Sequence, residues 1–195
     1  LLGLPPTKAQ VDAFLVDARP DAWERLIDEL LASPHYGERW GRHWLDVAGY
    51  ADSEGYNDAD ADRPDAWLYR DYVIDAFNAN MPFDRFIREQ LAGDEMVAVP
   101  FENITPDTKA KLAATGFLRM APDGSGSENG DAKIDAANAT VTETVKIVSS
   151  ALLGMTVGCA ECHDHRFDPI LQKDFYRLRA IFEPALDPKA WREPR

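Results

Sequence analysis

Cysteine is nearly absent: 195 residues hold only two, Cys159 and Cys162, three positions apart. No thiol is left for a long-range crosslink, so a disulfide-stapled secreted scaffold is excluded. Basic residues are scarce too, 21 against 34 acidic, for a formal net charge of −13. Such a surface repels phosphate backbones and anionic headgroups, which argues against nucleic acid and membrane-surface partners and favours a basic partner. A well-solvated acidic surface that keeps the chain soluble would carry the same charge. No apolar run approaches the length of a membrane span, and no charged-then-apolar start marks a leader. The chain opens on Leu1-Leu2-Gly3 and stops at Glu193-Pro194-Arg195, which reads as a piece of a longer protein.

What is present is mostly helical punctuation. Thr7 with Gln10 forms a capping-box pattern, and Asp21 with Glu24 repeats it before Trp23, Leu26, Ile27, Leu30 and Leu31. Ser33-Pro34 supplies a cap and a first-turn proline to a third helix, where Tyr36, Trp40, His43, Trp44 and Val47 recur at helical spacing. Residues 52–64 are acidic and turn-rich and read as loop. Tyr69, Val73 and Phe77 mark a fourth helix, and Phe83, Phe86, Ile87 and Leu91 a fifth after Pro82. Thr105-Pro106 opens a short one, and residues 122–130 are a Gly- and Ser-rich link.

The clearest helix runs from about Ala137 to Leu153, with Val141, Val145, Val148 and Leu152 in register and Gly154 as its stop. Asp168-Pro169 is expected to cap the last helix, with Leu171, Phe175, Leu178 and Phe182 turned inward. Only Met155-Thr156-Val157 hints at a strand. The expected class is mainly α: an irregular multi-helix domain with long loops, its cysteine motif between the two C-terminal helices.

Cys159-Ala160-Glu161-Cys162-His163 spells C-x-x-C-H, the attachment signature of c-type haem. Two thiols about one helical turn apart reach two vinyl groups of one porphyrin, and the next residue offers its imidazole to the iron. His163 is the expected proximal ligand, and haem c the expected cofactor. Three other readings stand beside it. Zinc on Cys159, Cys162, His163 and His165 would crowd four ligands into seven positions, where structural sites separate their pairs. A redox C-x-x-C belongs after a strand in a βαβ setting, which the pattern lacks. Two ordinary cysteines beside a surface histidine is the third.

For a sixth ligand, His165 lies too close to His163 to cross the ring. Upstream candidates are His35, His43, Met81, Met96, Met120 and Met155. His43 is favoured because it falls between Trp40 and Val47 on an apolar helix face, although a histidine there can equally pack in the core. Arg166, Arg39 and Arg42 are candidate partners for the propionates, and Asp164 or Asp168 for the second nitrogen of His163. A calcium reading of the acidic loop fails the EF-hand pattern: counting from Asp58, position six is Arg63 and position twelve Tyr69. Gly124-Ser125-Gly126 follows no strand, which rejects a nucleotide loop.

Several strings then agree in order: Arg39 to Asp46, Tyr50-Ala51-Asp52-Ser53, Tyr69 to Asn78, Arg88-Glu89-Gln90-Leu91-Ala92-Gly93-Asp94, and Thr156 to Ile170. Together they resemble the planctomycete-specific cytochrome-associated family, a domain of unknown function, from Gly3-Leu4-Pro5-Pro6 to Phe182. The resemblance implies a large exported protein, periplasmic or at the cell surface, with a cytochrome c-like module before this domain and an uncharacterised one after it. The family's C-x-x-C-H maps onto Cys159, Cys162 and His163, and its R-H-W-L-D stretch onto Arg42 to Asp46. At Gly49 the chain departs from the pattern, which has a basic residue before the Tyr-Ala-Asp. The expected function is electron transfer by a haem c domain. An open-sided haem enzyme acting on a small substrate or peroxide is the first alternative, and a zinc- or disulfide-stabilised binding module the second.

Overall fold

A computed structural model describes residues 1–55, 60–99, 101, 104–124 and 130–187, with the side chains of 130–133 left aside. The chain is 63% helix, with eight α-helices and no strand among the described residues. In chain order these are α1 (Lys8–Val16), α2 (Ala22–Leu31), α3 (Pro34–Ala48), α4 (Ala66–Asn78), α5 (Phe83–Ala92), α6 (Pro106–Ala114), α7 (Gly130–Leu153) and α8 (Gln172–Phe182). Short 3₁₀ turns at Thr115–Arg119 and Val157–Glu161 join the later ones. Among the described residues, no helix is long and apolar enough to cross a membrane.

The caps follow the sequence in part. Thr7 accepts the Gln10 amide in a complete capping box, and Thr105 accepts the Thr108 amide. The box expected at Asp21 does not form: its carboxylate turns to Arg25 at 2.8 Å. Ser33 stands at the start of α3 without a side-chain cap, and Pro34 alone supplies the signal. The last helix is not capped by Asp168. It begins four residues later, where Asp174 accepts the Leu171 amide at 3.1 Å. Helix α7 starts at Gly130, earlier than its apolar register, and stops where expected because Gly154 takes φ +62. Met155-Thr156-Val157 is not a strand; Val157 already belongs to a 3₁₀ turn.

Helix α3 packs on α4 through small residues. A Cβ on Gly37 would stand 2.4 Å from the Ile74 carbonyl, so only glycine lets the two backbones approach. Asn78 seals the contact, accepting the Gly37 amide at 2.7 Å and donating to the Pro34 carbonyl. The buried face of α3 is therefore Gly37, Gly41, Leu45 and Ala48. The aromatic stripe read from the sequence lies elsewhere on the helix: Trp44 is half-buried, while Trp40, His43 and Val47 are exposed. Tyr69, Tyr72, Val73, Phe86, Phe117, Val141, Val145 and Phe175 build the core with Leu45. Helix α2 buries no residue, and Trp23 on it is exposed.

Inside the core sits a polar node. Trp44 donates its indole N–H to Tyr69 Oη and Gln90 Oε1, both at 2.9 Å, and Tyr69 donates to Gln90 Oε1 at 2.6 Å. Gln90 donates to the Phe86 carbonyl. One residue before Gln90 on α5, Glu89 accepts from Tyr72 at 3.1 Å and from Arg85 at 2.7 Å. Glu89 and Gln90 are each 1% exposed, so every polar atom here needs its partner. A second polar tie holds the acidic loop. Glu54 donates its amide to the Ala61 carbonyl, Arg63 donates to the carbonyls of Met120 and Ala121, and Arg119 pairs with the buried Asp123 at 3.0 Å. Asp58, from which the calcium pattern is counted, and most of the link 122–130 lie outside the described residues.

Gln90→Leu removes the shared acceptor and strands the Tyr69 hydroxyl, so it should cost about 1–3 kcal/mol in denaturant melts; an unchanged midpoint would show the node to be passive. Burial first, and the neighbouring carboxylate second, pushes Tyr50 up to about 12, and burial likewise raises Tyr69 and Tyr72. The neutral phenols thus favour the fold fully below their ordinary value of 10.0. That contribution drains away as pH climbs toward their folded-state values. Thermal melts at about pH 9 and about pH 11, read with tyrosinate absorbance, should show ionisation and unfolding arriving together.

Candidate functional site

The C-x-x-C-H residues lie between α7 and α8. Past Gly154 the chain turns into Val157–Glu161, where Val157 and Ala160 are buried. With those two facing the core, Cys159 and Cys162 face solvent, and both are free thiols. Gly158 is needed because a Cβ there would stand 2.4 Å from Lys146 Cγ, whose stem crosses the turn. Lys146 continues to Glu143 at 2.7 Å and Glu161 at 3.4 Å. The Glu161 carbonyl accepts from Gln172 Nε2 and Tyr176 Oη, which fixes the turn to α8.

His163 is exposed, and its Nδ1 lies 2.7 Å from the Asp164 carbonyl oxygen. A carbonyl only accepts, so Nδ1 carries the proton and donates, an assignment made from the hydrogen-bond network. In the neutral ring this tautomer leaves the lone pair on Nε2, the form in which a histidine binds a metal. The carboxylate expected to orient His163 is not used for this. Asp164 does so through its backbone, while its side chain accepts the Gln172 amide at 2.8 Å.

His165 is the residue whose role sequence reasoning missed. Its side chain is 8% exposed. Nδ1 accepts the amides of Phe167 at 3.2 Å and Asp168 at 2.9 Å, so Nε2 holds the proton and donates to Thr156 Oγ1 at 2.9 Å. Asp168 is therefore a partner of His165 through its backbone amide, and not a helix cap. With both ring nitrogens of His165 occupied, the four-ligand zinc set is not assembled. No group of three or more His, Cys, Asp or Glu side chains fit to hold a metal ion occurs among the described residues. A faint sequence signal for this role existed in Thr156 and Asp168, polar residues flanking a second histidine, but nothing in their spacing specifies the bonds.

Large apolar groups surround the motif without cover. Phe167 is 85% exposed, and Met155, Leu153 and Leu171 are exposed as well. Arg166 lies over the Phe167 ring, 5.5 Å from its centroid. The upstream ligand candidates are scattered. Met120 is buried, Met81 is a partner of the Tyr72 hydroxyl, His35 pairs with Glu38, and Met96 is exposed. His43 is exposed beside Trp40, their rings 5.6 Å apart, so the apolar wall expected around it is a half-open surface. Arg39 packs its stem against Gly3.

The fold and site thus define a mainly helical domain that presents a C-x-x-C-H turn, with both thiols free and exposed, between its last two long helices. The chain belongs to the PSCyt2 family, described as a protein of unknown function (DUF1549), whose model matches residues 1–186. No curated protein and no solved structure matches it.

Asp174 holds the start of α8, and with it the wall behind the motif. The Leu171 amide first, and Arg177 second, keeps its carboxyl below the ordinary 3.8. A lowered value stabilises the fold above 3.8 and stops doing so as pH falls through the folded-state value. Asp174→Ala should therefore melt earlier than the parent at neutral pH, with the gap closing in acid; a gap that persists at about pH 2 would assign the loss to packing.

Proposed function

We propose that this domain holds one covalent haem c, with Cys159 and Cys162 as thioether donors and His163 as an axial ligand of the iron. The carrying observation is the orientation of His163: Nδ1–H is committed to the Asp164 carbonyl, which leaves Nε2 as the nitrogen open to a metal, beside two exposed free thiols. That is the donor set and tautomer a haem ligand needs. Cys159 and Cys162 would hold the group through thioether bonds, each formed by addition of S–H across a vinyl double bond, which would consume no oxidant. The uncovered Phe167, Met155 and Leu171 supply apolar surface for a porphyrin, and Arg166 a cation for a propionate. When bound, haem supplies one-electron chemistry at a potential set by its ligands and burial.

This chain's residues would then bind, orient and shield rather than exchange protons, as in an electron-transfer module of a larger planctomycete-type exported protein. Haem attachment outside the cytoplasm fits a periplasmic or surface location. A cytochrome-like neighbouring module and a following domain fit as covalent partners, and the acidic surface suits a basic redox partner. The exposure of His43 favours a second reading, in which the distal side is open and the domain acts on a small substrate or peroxide.

Export beside cytochrome c maturation machinery, followed by haem staining of a denaturing gel, tests this. A band that survives denaturation and vanishes in Cys159→Ala/Cys162→Ala is the expected result. A folded, colourless protein made beside a working control cytochrome would overturn it. In a loaded protein, a high-spin spectrum that shifts with cyanide would select the open distal side, and a low-spin one the relay.

A further inference from the structure

We propose that Thr156 and His165 form a latch that positions the His163 imidazole for the iron; the iron role rests on the haem reading above. The geometry runs through one peptide group. The unit joining Asp164 to His165 accepts the His163 Nδ1–H at its carbonyl, 2.7 Å, and donates its own N–H to the Ile170 carbonyl, 2.8 Å. In a trans peptide these two groups point to opposite edges of one plane, so the bond to Ile170 fixes the direction from which His163 is held. Ile170 is buried and closes a tight turn with its amide on the Asp168 carbonyl.

The side chain of His165 stiffens that turn from within. It accepts the amides of Phe167 and Asp168 on Nδ1 and donates its Nε2–H in a hydrogen bond to Thr156 Oγ1. Thr156 also accepts the Cys159 amide through its carbonyl at 3.1 Å. One residue therefore ties the start of the cysteine turn to the loop that carries the histidine. Apart from that link the turn is held from α8, by Gln172 and Tyr176 on the Glu161 carbonyl and by Asp164 on the Gln172 amide. Thr156 and His165 touch neither thiol through their side chains and act only through His163, as positioning residues.

The unloaded 195-residue chain, labelled with ¹⁵N at histidine, reports the latch directly in long-range imidazole spectra. The parent and Thr156→Ser should both show His163 protonated at Nδ1 with Nε2 bare. Thr156→Val keeps the shape and loses the hydroxyl; it should lower the Nδ1–H population of His163 by about twofold or more while helical content is retained. Thr156→Ala serves as a second variant, since the position is exposed and tolerates a smaller side chain. A His163 signal unchanged in both Val and Ala variants would overturn the latch, whatever the haem stain shows. A colourless chain whose His163 still responds to Thr156 would overturn the iron role and leave the latch standing.

Discussion

The indole N–H of Trp44, shared between Tyr69 and Gln90, is the constraint on which the helical core depends. It joins α3, α4 and α5. Apolar burial around it is non-directional and tolerates rotation of the helices. The node does not, because each of its polar atoms has one acceptable geometry. Tyr72 on Glu89 repeats the arrangement one residue along α5, with the Tyr72 ring stacked on Phe86 at 5.9 Å. Helix α5 is thus oriented by side chains that an amphipathic pattern would send to solvent.

The motif region is built on different terms. Its large side chains stay uncovered, and its shape comes from backbone and imidazole hydrogen bonds. Val157, Ala160 and Ile170 are its apolar pins in the core, one ahead of Cys159, one between the cysteines and one at the end of the loop. The core settles where α7 and α8 stand; the loop settles how the ring of His163 is turned.

Much of the fold was legible in the sequence, and the exceptions have physical causes. The Thr7 box, the Thr105 cap, the stop at Gly154 and the Val141–Val145–Val148 register appear as read, because each depends on neighbours within a turn. The aromatic stripe of α3 misled because spacing identifies a face without saying which partner it meets; close approach to α4 selected the glycine face instead. Asp21 failed as a cap because the Arg25 cation competed for its carboxylate, and Asp168 because its amide is taken up by His165 and α8 begins only at Gln172. Glu89 and Gln90 look like surface residues until Tyr72 and Tyr69 arrive from another helix. Several of the strings on which the resemblance rests, Trp44 in one, Tyr69 and Tyr72 in another, Glu89 and Gln90 in a third, converge on that node. The C-x-x-C-H spacing announced chemistry, whereas the tautomer of His163 needed three dimensions.

The turn from Gly154 to Leu171 bonds largely to itself and to the first turn of α8. Seen as a part rather than a place, it behaves like a bezel: a rim shaped by its own hydrogen bonds and set into the body at Val157, Ala160 and Ile170. Such a rim can exchange the residues that face outward, Phe167 or Arg166 among them, without asking the helices to repack. Diversity among relatives would then collect on the rim while the core stays fixed, and one scaffold would carry rims of different surface chemistry.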